Sequence, residues 1–95
     1  MHAVVRNYSG SDASELFDEL QGLLGGIEEA IRSISGVVAY TLLRTTNGGM
    51  SITVCGNKTA ADESVTVAAE FINQNCSTIA NPLEMSEGAT MLHIN

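Results

Sequence analysis

Stretches in which apolar and polar residues alternate with a period of two are separated along this chain by stretches of helical period. The alternating stretches cover residues 2–8, two segments between 37 and 55, and the end of the chain near 84–94. A period of two is typical of β-strands. The two central segments meet at Asn47-Gly48-Gly49, whose residues tolerate the positive φ angles of tight turns, so they are predicted to form a β-hairpin.

The first helical stretch carries aliphatic residues three or four positions apart, with acidic residues on its opposite side. Its apolar members are Leu16, Leu20, Leu23, Leu24, Ile27, Ile31 and Ile34. Asp12 is the predicted N-cap, with Glu15 three residues later, and Gly36 suits the left-handed position that ends a helix. Because Gly25-Gly26 interrupts the pattern without changing its phase, one helix, bent at that pair, is predicted.

The second helical stretch begins after Thr59, the predicted N-cap, with Asp62 at the third helical position. Its apolar members are Val65, Ala68, Ala69, Ile72, Cys76 and Ile79, and Asn81-Pro82 marks a turn. The element order is therefore β-α-β-β-α-β within one domain, residues 1–95. This order predicts a ferredoxin-like α+β fold, with a four-stranded antiparallel sheet and two helices on one face.

The hairpin strands are apolar on both faces, whereas a small lone domain should hide only one. Val38, Tyr40 and Leu42 alternate with Val37 and Leu43. The helices cover one face, and a second copy of the chain is the expected cover of the other, which predicts a homodimer through the open sheet face. The residues assigned to that open face are Val4, Tyr8, Tyr40, Leu42 and Met91.

Three segments carry a resemblance to a known group of proteins: "HAVVRNYSG", "IRSISGVVAYTLLR" and "SITVCGNKTAADES". They resemble the dimeric α/β-barrel superfamily, which includes antibiotic-biosynthesis-monooxygenase-like and stress-responsive barrel proteins. The resemblance covers nearly the whole chain and implies a homodimer whose two sheets form a barrel, with a cavity in or beside it.

The same resemblance implies a choice of activities. Members with known activity include cofactor-free monooxygenases of polycyclic phenols, haem-degrading enzymes, and small-molecule isomerases or dehalogenases. This sequence departs from the monooxygenase pattern because it contains no Trp and because "TAADESVTVAAEF" contains no His. Both departures argue against oxidation of an aromatic substrate and against haem degradation.

The charge balance argues against two classes of partner. Eleven acidic residues against four basic ones give a net charge of -7. Nucleic acids and anionic membranes are bound chiefly through Lys and Arg, so neither is an expected partner. The sequence shows no signal-peptide core and no apolar run approaching the roughly 18 residues of a membrane helix. A cytoplasmic protein is therefore expected.

Four polar residues are candidates for a small-molecule site on the sheet face opposite the helices. Arg6 and Arg44 could hold a carboxylate or an enolate through charge-assisted hydrogen bonds. Tyr40 could donate to an oxyanion, and His93 could move a proton near neutral pH. Purely structural roles for these side chains stay open. The arginines could form ion pairs with Glu87 or with the second subunit, and the Tyr40 ring could simply be packed.

The cysteines and histidines add weaker candidates. Cys55 and Cys76 have no metal-binding spacing and are expected to be free thiols. Cys55, at the end of the third strand, is a candidate ligand-binding residue or else a packed, inert thiol. His2 and His93 could lie close together if the first and last strands pair. Because further ligands are lacking, neither a metal nor another cofactor is predicted.

Three functions remain compatible with these patterns. The first is a small-molecule-binding homodimer of the α/β-barrel type. The second is a cofactor-independent enzyme, monooxygenase-like or isomerase-like, that acts on a small phenolic or carboxylate substrate. The third is an interaction module whose outer helices bind a partner. A cavity lined by convergent polar groups would favour the first two.

Overall fold

The computed structural model describes all 95 residues and contains four strands and three helices. In chain order they are β1 (His2–Ser9), α1 (Ser11–Gln21), α2 (Leu24–Arg32), β2 (Val37–Thr45), β3 (Gly48–Cys55), α3 (Lys58–Asn75) and β4 (Glu84–Ala89). The strands form one antiparallel sheet in the order β2-β3-β1-β4. The predicted ferredoxin-like α+β architecture is therefore confirmed, including the pairing of the first and last strands. None of the helices has the length and apolar character needed to cross a membrane.

The single bent helix predicted for the first half is wrong, because the segment forms two helices that separate at Gly22. The Gly22 N–H donates to the Glu19 carbonyl at 3.1 Å, and the Leu23 N–H donates to the Leu20 carbonyl at 2.9 Å. Such bonds over three residues tighten the last turn and end α1. The predicted break at Gly25-Gly26 instead lies inside α2.

The helix starts also differ from the prediction. Gly10 precedes α1 with a φ of 116°, and its carbonyl accepts from the Ser14 N–H at 3.0 Å, so Asp12 is not the N-cap. Asn57, not Thr59, caps α3, because its side-chain oxygen accepts from the Ala60 N–H at 2.8 Å. Both predicted caps are therefore displaced by two residues. Gly36 does adopt a positive φ of 97°, but it does not end the helix as predicted, because α2 ends at Arg32 with Ser33 as its C-cap.

The β2–β3 hairpin is confirmed, but the role predicted for its glycines is wrong. Thr45 pairs with Gly48, so Thr46 and Asn47 form the turn, and Gly48 and Gly49 belong to β3. Neither glycine has a positive φ. A Cβ at Gly49 would overlap the Phe17 ring, which shows that the glycine is needed for close approach of α1 to the sheet.

The faces of the sheet are exchanged relative to the prediction. Arg6 pairs with Ser51 and Val4 pairs with Thr53, and all four residues are buried on the helix side. Tyr40 pairs with Thr53 and therefore shares that face. Four residues of β1 and β2 that were predicted to lie on the open face therefore face the helices: Val4, Tyr8, Tyr40 and Leu42. Side chains alternate between the two faces of a strand, so an error of one residue in the assignment exchanges the faces.

The remaining prediction for the open face also fails, because the last strand is shorter than predicted. It ends at Ala89, and Met91 lies beyond it with its side chain fully exposed. The open face is nevertheless largely apolar, with other members. The register places on it Ala3, Val5, Ala39, Leu43, Met50, Ile52 and Val54, together with polar residues that include Asn7, Thr41, Glu84 and Ser86.

The core lies between the helices and the inner sheet face. Its largest cluster combines Tyr8 and Phe17, whose ring centroids are 5.6 Å apart, with aliphatic residues of α1, α2 and α3. A second cluster surrounds Cys55 near the start of α3. A cavity lies within the larger cluster, on the inner face of the sheet.

Candidate functional site

A cavity of about 30 Å³ lies between the inner sheet face and the three helices. It is lined by fourteen residues, of which twelve are hydrophobic. Its aromatic lining comes from Tyr8, Phe17, Tyr40 and Phe71, and its strongly polar groups come from Arg6 and Ser51. The volume suits one or a very few water molecules, so a larger ligand requires displacement of wall side chains.

Arg6 is the charged group of this cavity. Arg6 is only 4% exposed, and its Nε donates a hydrogen bond to Ser51 Oγ at 3.0 Å. Arg6 takes part in none of the ion pairs of the protein. A buried charge without a counter-charge costs several kcal/mol, roughly, even after relaxation of the protein around it. The structure thus places an uncompensated cation against an apolar void.

The β-sheet register explains how Arg6 reaches this position. It follows Val4 and precedes Tyr8 on the same side of β1, and both neighbours are buried. Ser51 lies directly opposite on β3, where a small hydroxyl side chain leaves room for the guanidinium. The neighbouring Thr53 hydroxyl is also buried and has no hydrogen-bond partner. Unpaired buried polar groups are uncommon in proteins, and Thr53 is one of two such side chains here, the other being Thr90 after β4.

The two tyrosines near Arg6 remain protonated at neutral pH. Burial raises the pKa of Tyr8 above its usual value of 10.0, and the nearby Arg6 charge partly opposes that shift. The pKa of Tyr40 is raised for the same reason, again against the influence of Arg6. Both hydroxyls are therefore hydrogen-bond donors in the vicinity of the guanidinium. They can assist Arg6 in holding an anionic oxygen.

The structure brings together only two of the four polar residues predicted to share a face. Arg6 and Tyr40 line the cavity, and their chemical roles stay predictions. Arg44 instead turns to α1, where its Nη2 lies 2.6 Å from Asp18 Oδ1. His93 lies in the tail beyond β4, and its Nε2 is 2.9 Å from Asn95 Oδ1. The prediction that all four converge is therefore wrong.

Cys55 is buried away from the cavity. It is 0% exposed and packs with Val4, Ala60 and Ala61. Burial raises the pKa of its thiol above 9.0, which disfavours the nucleophilic thiolate. Its predicted ligand-binding role has no support from this placement, and the alternative of a packed thiol fits the contacts.

His2 belongs to a small charged group at the edge of the sheet. Its Nε2 lies 3.0 Å from Glu87 Oε1, and Lys58 Nζ lies 3.3 Å from the same oxygen. The contacts with His2 and then Lys58 lower the pKa of Glu87, whereas the pKa of Lys58 is raised first by its hydrogen bond with Asp62 and then by that with Glu87. His93 is not one of its partners, and no group of three or more His, Cys, Asp or Glu side chains could hold a metal ion.

A groove lies next to the cavity, between α2 and β2. It has a volume of about 500 Å³, and nine of its eleven lining residues are hydrophobic. Four residues line both spaces: Ile27, Ile31, Tyr40 and Leu42. Tyr40 and Leu42 are only partly buried, so a single layer of side chains separates the cavity from the groove there. Sequence patterns did not reveal this groove, because it depends on the separation of α2 from α1.

No protein-family model matches the sequence, and no curated protein does. Solved structures match over nearly the whole chain. HapK from Hahella chejuensis has a TM-score of 0.71 at 14% identity, and the match covers 100% of this chain and 97% of that one. A monooxygenase from the gene ActVA-Orf6 of Streptomyces coelicolor, in complex with nanaomycin D, has a TM-score of 0.61 at 18% identity, covering 99% and 89%. A dimeric ferredoxin-like protein from an uncultured marine organism has a TM-score of 0.63 at 9% identity, covering 99% and 95%.

These matches define the class of fold. The chain has the fold of the antibiotic-biosynthesis-monooxygenase-like ferredoxin-fold proteins, and the resemblance seen in the sequence is confirmed at that level. At such low identities the likeness concerns the fold, whereas a function must be argued from the site.

Proposed function

We propose that this chain is a small-molecule-binding protein of the α/β-barrel type that acts as a homodimer. In each protomer the ligand enters the cavity between the sheet and the helices and places a carboxylate or phenolate oxygen against Arg6. The observation that carries this proposal is the burial of Arg6 with one neutral side-chain partner, Ser51, beside an apolar void.

The hydrogen-bonding capacity of Arg6 supports an anionic ligand. A guanidinium has five N–H donors, and the bond to Ser51 uses the one on Nε. The four N–H groups on Nη1 and Nη2 make no hydrogen bond to another side chain or to the backbone. A carboxylate can accept from these groups in a bidentate manner, which compensates the charge and satisfies the donors together.

The remainder of the cavity supports a ligand that is otherwise apolar. Phe17, Phe71 and several aliphatic side chains line the same cavity as Arg6, and few other polar groups reach the void. Apolar walls with a small number of oriented polar groups are typical of small-molecule sites. The ligand class that fits both features is an apolar body that carries one anionic oxygen group.

A thermal-shift screen against small carboxylates, phenols and quinones tests the proposal. We expect a carboxylate or phenol to raise the unfolding temperature, because a ligand that binds only the folded state stabilises it. The same ligand should not stabilise the Arg6→Met variant, whereas Lys58→Met, which removes an exposed cation of α3 outside the cavity and the groove, should respond like the unchanged protein. No response to any class, or equal responses in Arg6→Met, would contradict the proposal.

The homodimer part of the proposal rests on the open sheet face. Val5, Ile52 and Leu43 belong to that face, and its apolar character leaves a surface that water hydrates poorly. The similar fold of a protein described as dimeric and ferredoxin-like supports the same arrangement. A two-fold contact between two such faces would bury both at once.

The alternative function is a cofactor-independent enzyme, monooxygenase-like or isomerase-like, that acts on a small phenolic or carboxylate substrate. The proximity of the Tyr8 and Tyr40 hydroxyls to the Arg6 charge favours it, because together they could stabilise an enolate or phenolate. His93 does not line the cavity and has no part in it. Oxygen consumption with added phenols, or exchange of substrate C–H protons in deuterated water, would reveal such an activity, and Tyr40→Phe should reduce it.

A further inference from the structure

Building on the proposed function, we infer that the natural ligand is an elongated monocarboxylate, bound with its carboxylate against Arg6 and its apolar chain along the α2–β2 groove. The cavity and the groove then act as two parts of one site. The wall formed by Ile27, Ile31, Tyr40 and Leu42 is the place where the chain crosses from one to the other.

The dimensions of the two spaces favour this ligand over a compact one. The cavity beside Arg6 holds about 30 Å³, which accommodates a carboxylate but not a drug-sized body. The groove offers about 500 Å³, which lies within the roughly 300–1,000 Å³ range of ligand pockets. A ligand that reaches Arg6 and fills the available space must therefore have a narrow anionic end and a longer apolar part.

The exposure of the groove residues supports an apolar occupant. Leu24 is 55% exposed and Val38 is 45% exposed, although both line a concave surface. Removing such surfaces from water contributes about 25 cal/mol per Å². The charged residues Glu28 and Arg32 lie at the edge of the groove and pair with each other at 2.8 Å, so they do not call for a charged ligand there.

The buried guanidinium determines the orientation of the ligand. Arg6 lies at the inner end, where it is 4% exposed and has no counter-charge. The groove contains no other unpaired cation. A carboxylate at the outer end of the groove would leave the Arg6 charge uncompensated. A carboxylate at the inner end, in the cavity, would pair with the Arg6 guanidinium and compensate both charges. One anionic group at one end is therefore the chemistry that this site recognises.

A series of straight-chain ligands on the full-length protein tests this inference. Calorimetric titration would compare sodium hexanoate, octanoate and decanoate below their micellar concentrations, with 1-decanol as the uncharged match. We expect affinity to rise about tenfold for every two methylene groups, as burial of methylene groups predicts. Decanol should bind at least tenfold more weakly than decanoate, and Arg6→Met should remove that difference.

Two exposed-site variants separate the groove from the cavity. Val38→Asp places a charge in the groove without changing a residue that lines the cavity, and should weaken decanoate at least tenfold but hexanoate less than twofold. Leu83→Asp makes a similar change at an exposed position outside both spaces and should leave both affinities unchanged. Circular dichroism spectra of both variants should match that of the unchanged protein.

The outcomes distinguish this inference from the proposed function. If aryl carboxylates bind through Arg6 but lengthening the alkyl chain gives no gain, the proposed function stands and the elongated ligand is wrong. If decanol and decanoate bind the unchanged protein with equal affinity, the inference that Arg6 recognises the carboxylate is wrong. If no carboxylate binds at any length while the protein is folded, the inference is overturned, and the thermal-shift screen with phenols then decides the proposed function.

Discussion

Arg6 on β1 and Ser51 on β3 lie directly opposite each other, and the 3.0 Å bond from Arg6 Nε to Ser51 Oγ is the one side-chain hydrogen bond of this buried cation. The pair fixes the plane of the guanidinium while leaving both Nη groups without a side-chain acceptor. A hydroxyl does not neutralise a positive charge, so the buried arginine lowers the stability of the folded protein. An apolar residue would be expected at this position, because it belongs to the buried row of β1. Such a departure from the rules of core packing is expected at a functional site.

Replacing Arg6 with methionine should stabilise the protein without its ligand. Met keeps much of the apolar volume and removes the uncompensated charge, so we expect the free energy of unfolding to rise by about 1–2 kcal/mol. Urea denaturation at neutral pH measures this change. Arg32→Met is the matched control, since Arg32 is exposed in α2 and its pair with Glu28 should contribute less than about 0.5 kcal/mol. A loss of more than 1 kcal/mol in Arg6→Met would show that Arg6 is structural.

Adding one methyl group to Gly49 should destabilise the protein. The new Cβ would overlap the Phe17 ring, which packs between α1 and the sheet, so we expect a loss of about 2–3 kcal/mol. Gly88→Ala in β4 is the matched control, because a Cβ there meets nothing within 4 Å. That variant should change the free energy of unfolding by less than about 0.5 kcal/mol. Similar effects of the two substitutions would mean that Phe17 does not pack on Gly49.

The order of the strands and helical segments could be predicted from periodicity, but neither the division of the first helical segment into α1 and α2 nor the assignment of sheet faces could. On β1 the row of Val4, Arg6 and Tyr8 contains a charge, whereas the alternate row from Ala3 through Val5 does not. General rules place an arginine on the wetter face. Here the arginine is buried as part of a cavity, so the rule fails at the residue that is functionally most informative.

The glycines show a second limit of sequence reasoning. Asn47-Gly48-Gly49 has the composition of a tight turn, and the hairpin was correctly predicted from it. Yet Gly48 and Gly49 lie in β3, where a side chain at Gly48 would overlap the Tyr8 backbone and one at Gly49 would overlap the Phe17 ring. Local composition reports conformational freedom, whereas these contacts join residues far apart in sequence, so only the assembled fold reveals them.

Glu19 should contribute stability that is lost in acid. Its carboxylate accepts from the backbone N–H groups of Ser77 and Thr78 at 2.9 and 2.8 Å, and from the Ser77 hydroxyl at 2.9 Å. The backbone bonds to Ser77 and then Thr78 are the main cause that lowers the Glu19 pKa from 4.5 to about 2. Because the folded-state pKa is the lower one, the contribution is complete above about pH 4.5 and disappears as the pH falls towards 2.

Glu19→Gln is expected to lower the unfolding temperature at pH 7 and to flatten its decline between about pH 4.5 and 2. The amide has a single oxygen acceptor, so it cannot accept from both backbone groups with equivalent oxygens. Thermal unfolding followed from pH 7 downwards measures the effect, with Glu63→Gln on the exposed side of α3 as the control. Glu87 has a lowered pKa as well, so part of the acid dependence should persist. If the pH dependence of the unfolding temperature is unchanged in Glu19→Gln, the hydrogen bonds of Glu19 with Ser77 and Thr78 do not contribute to stability.

A charge on the open sheet face should separate the proposed dimer. Ile52 lies on that face in the central strand β3, opposite Val5 on one side and Thr41 on the other. Burial of an unpaired carboxylate in a two-fold contact is strongly unfavourable, and symmetry would place two of them in the same interface. Ile52→Asp should therefore convert a dimer into a 10.0 kDa protomer, whereas Ile79→Asp, at an exposed position before β4, should leave the dimer intact. Light scattering coupled to gel filtration measures both masses. A mass of one chain for the unchanged protein at micromolar concentration would contradict the homodimer directly, and a dimer that persists in Ile52→Asp would place the interface on another surface.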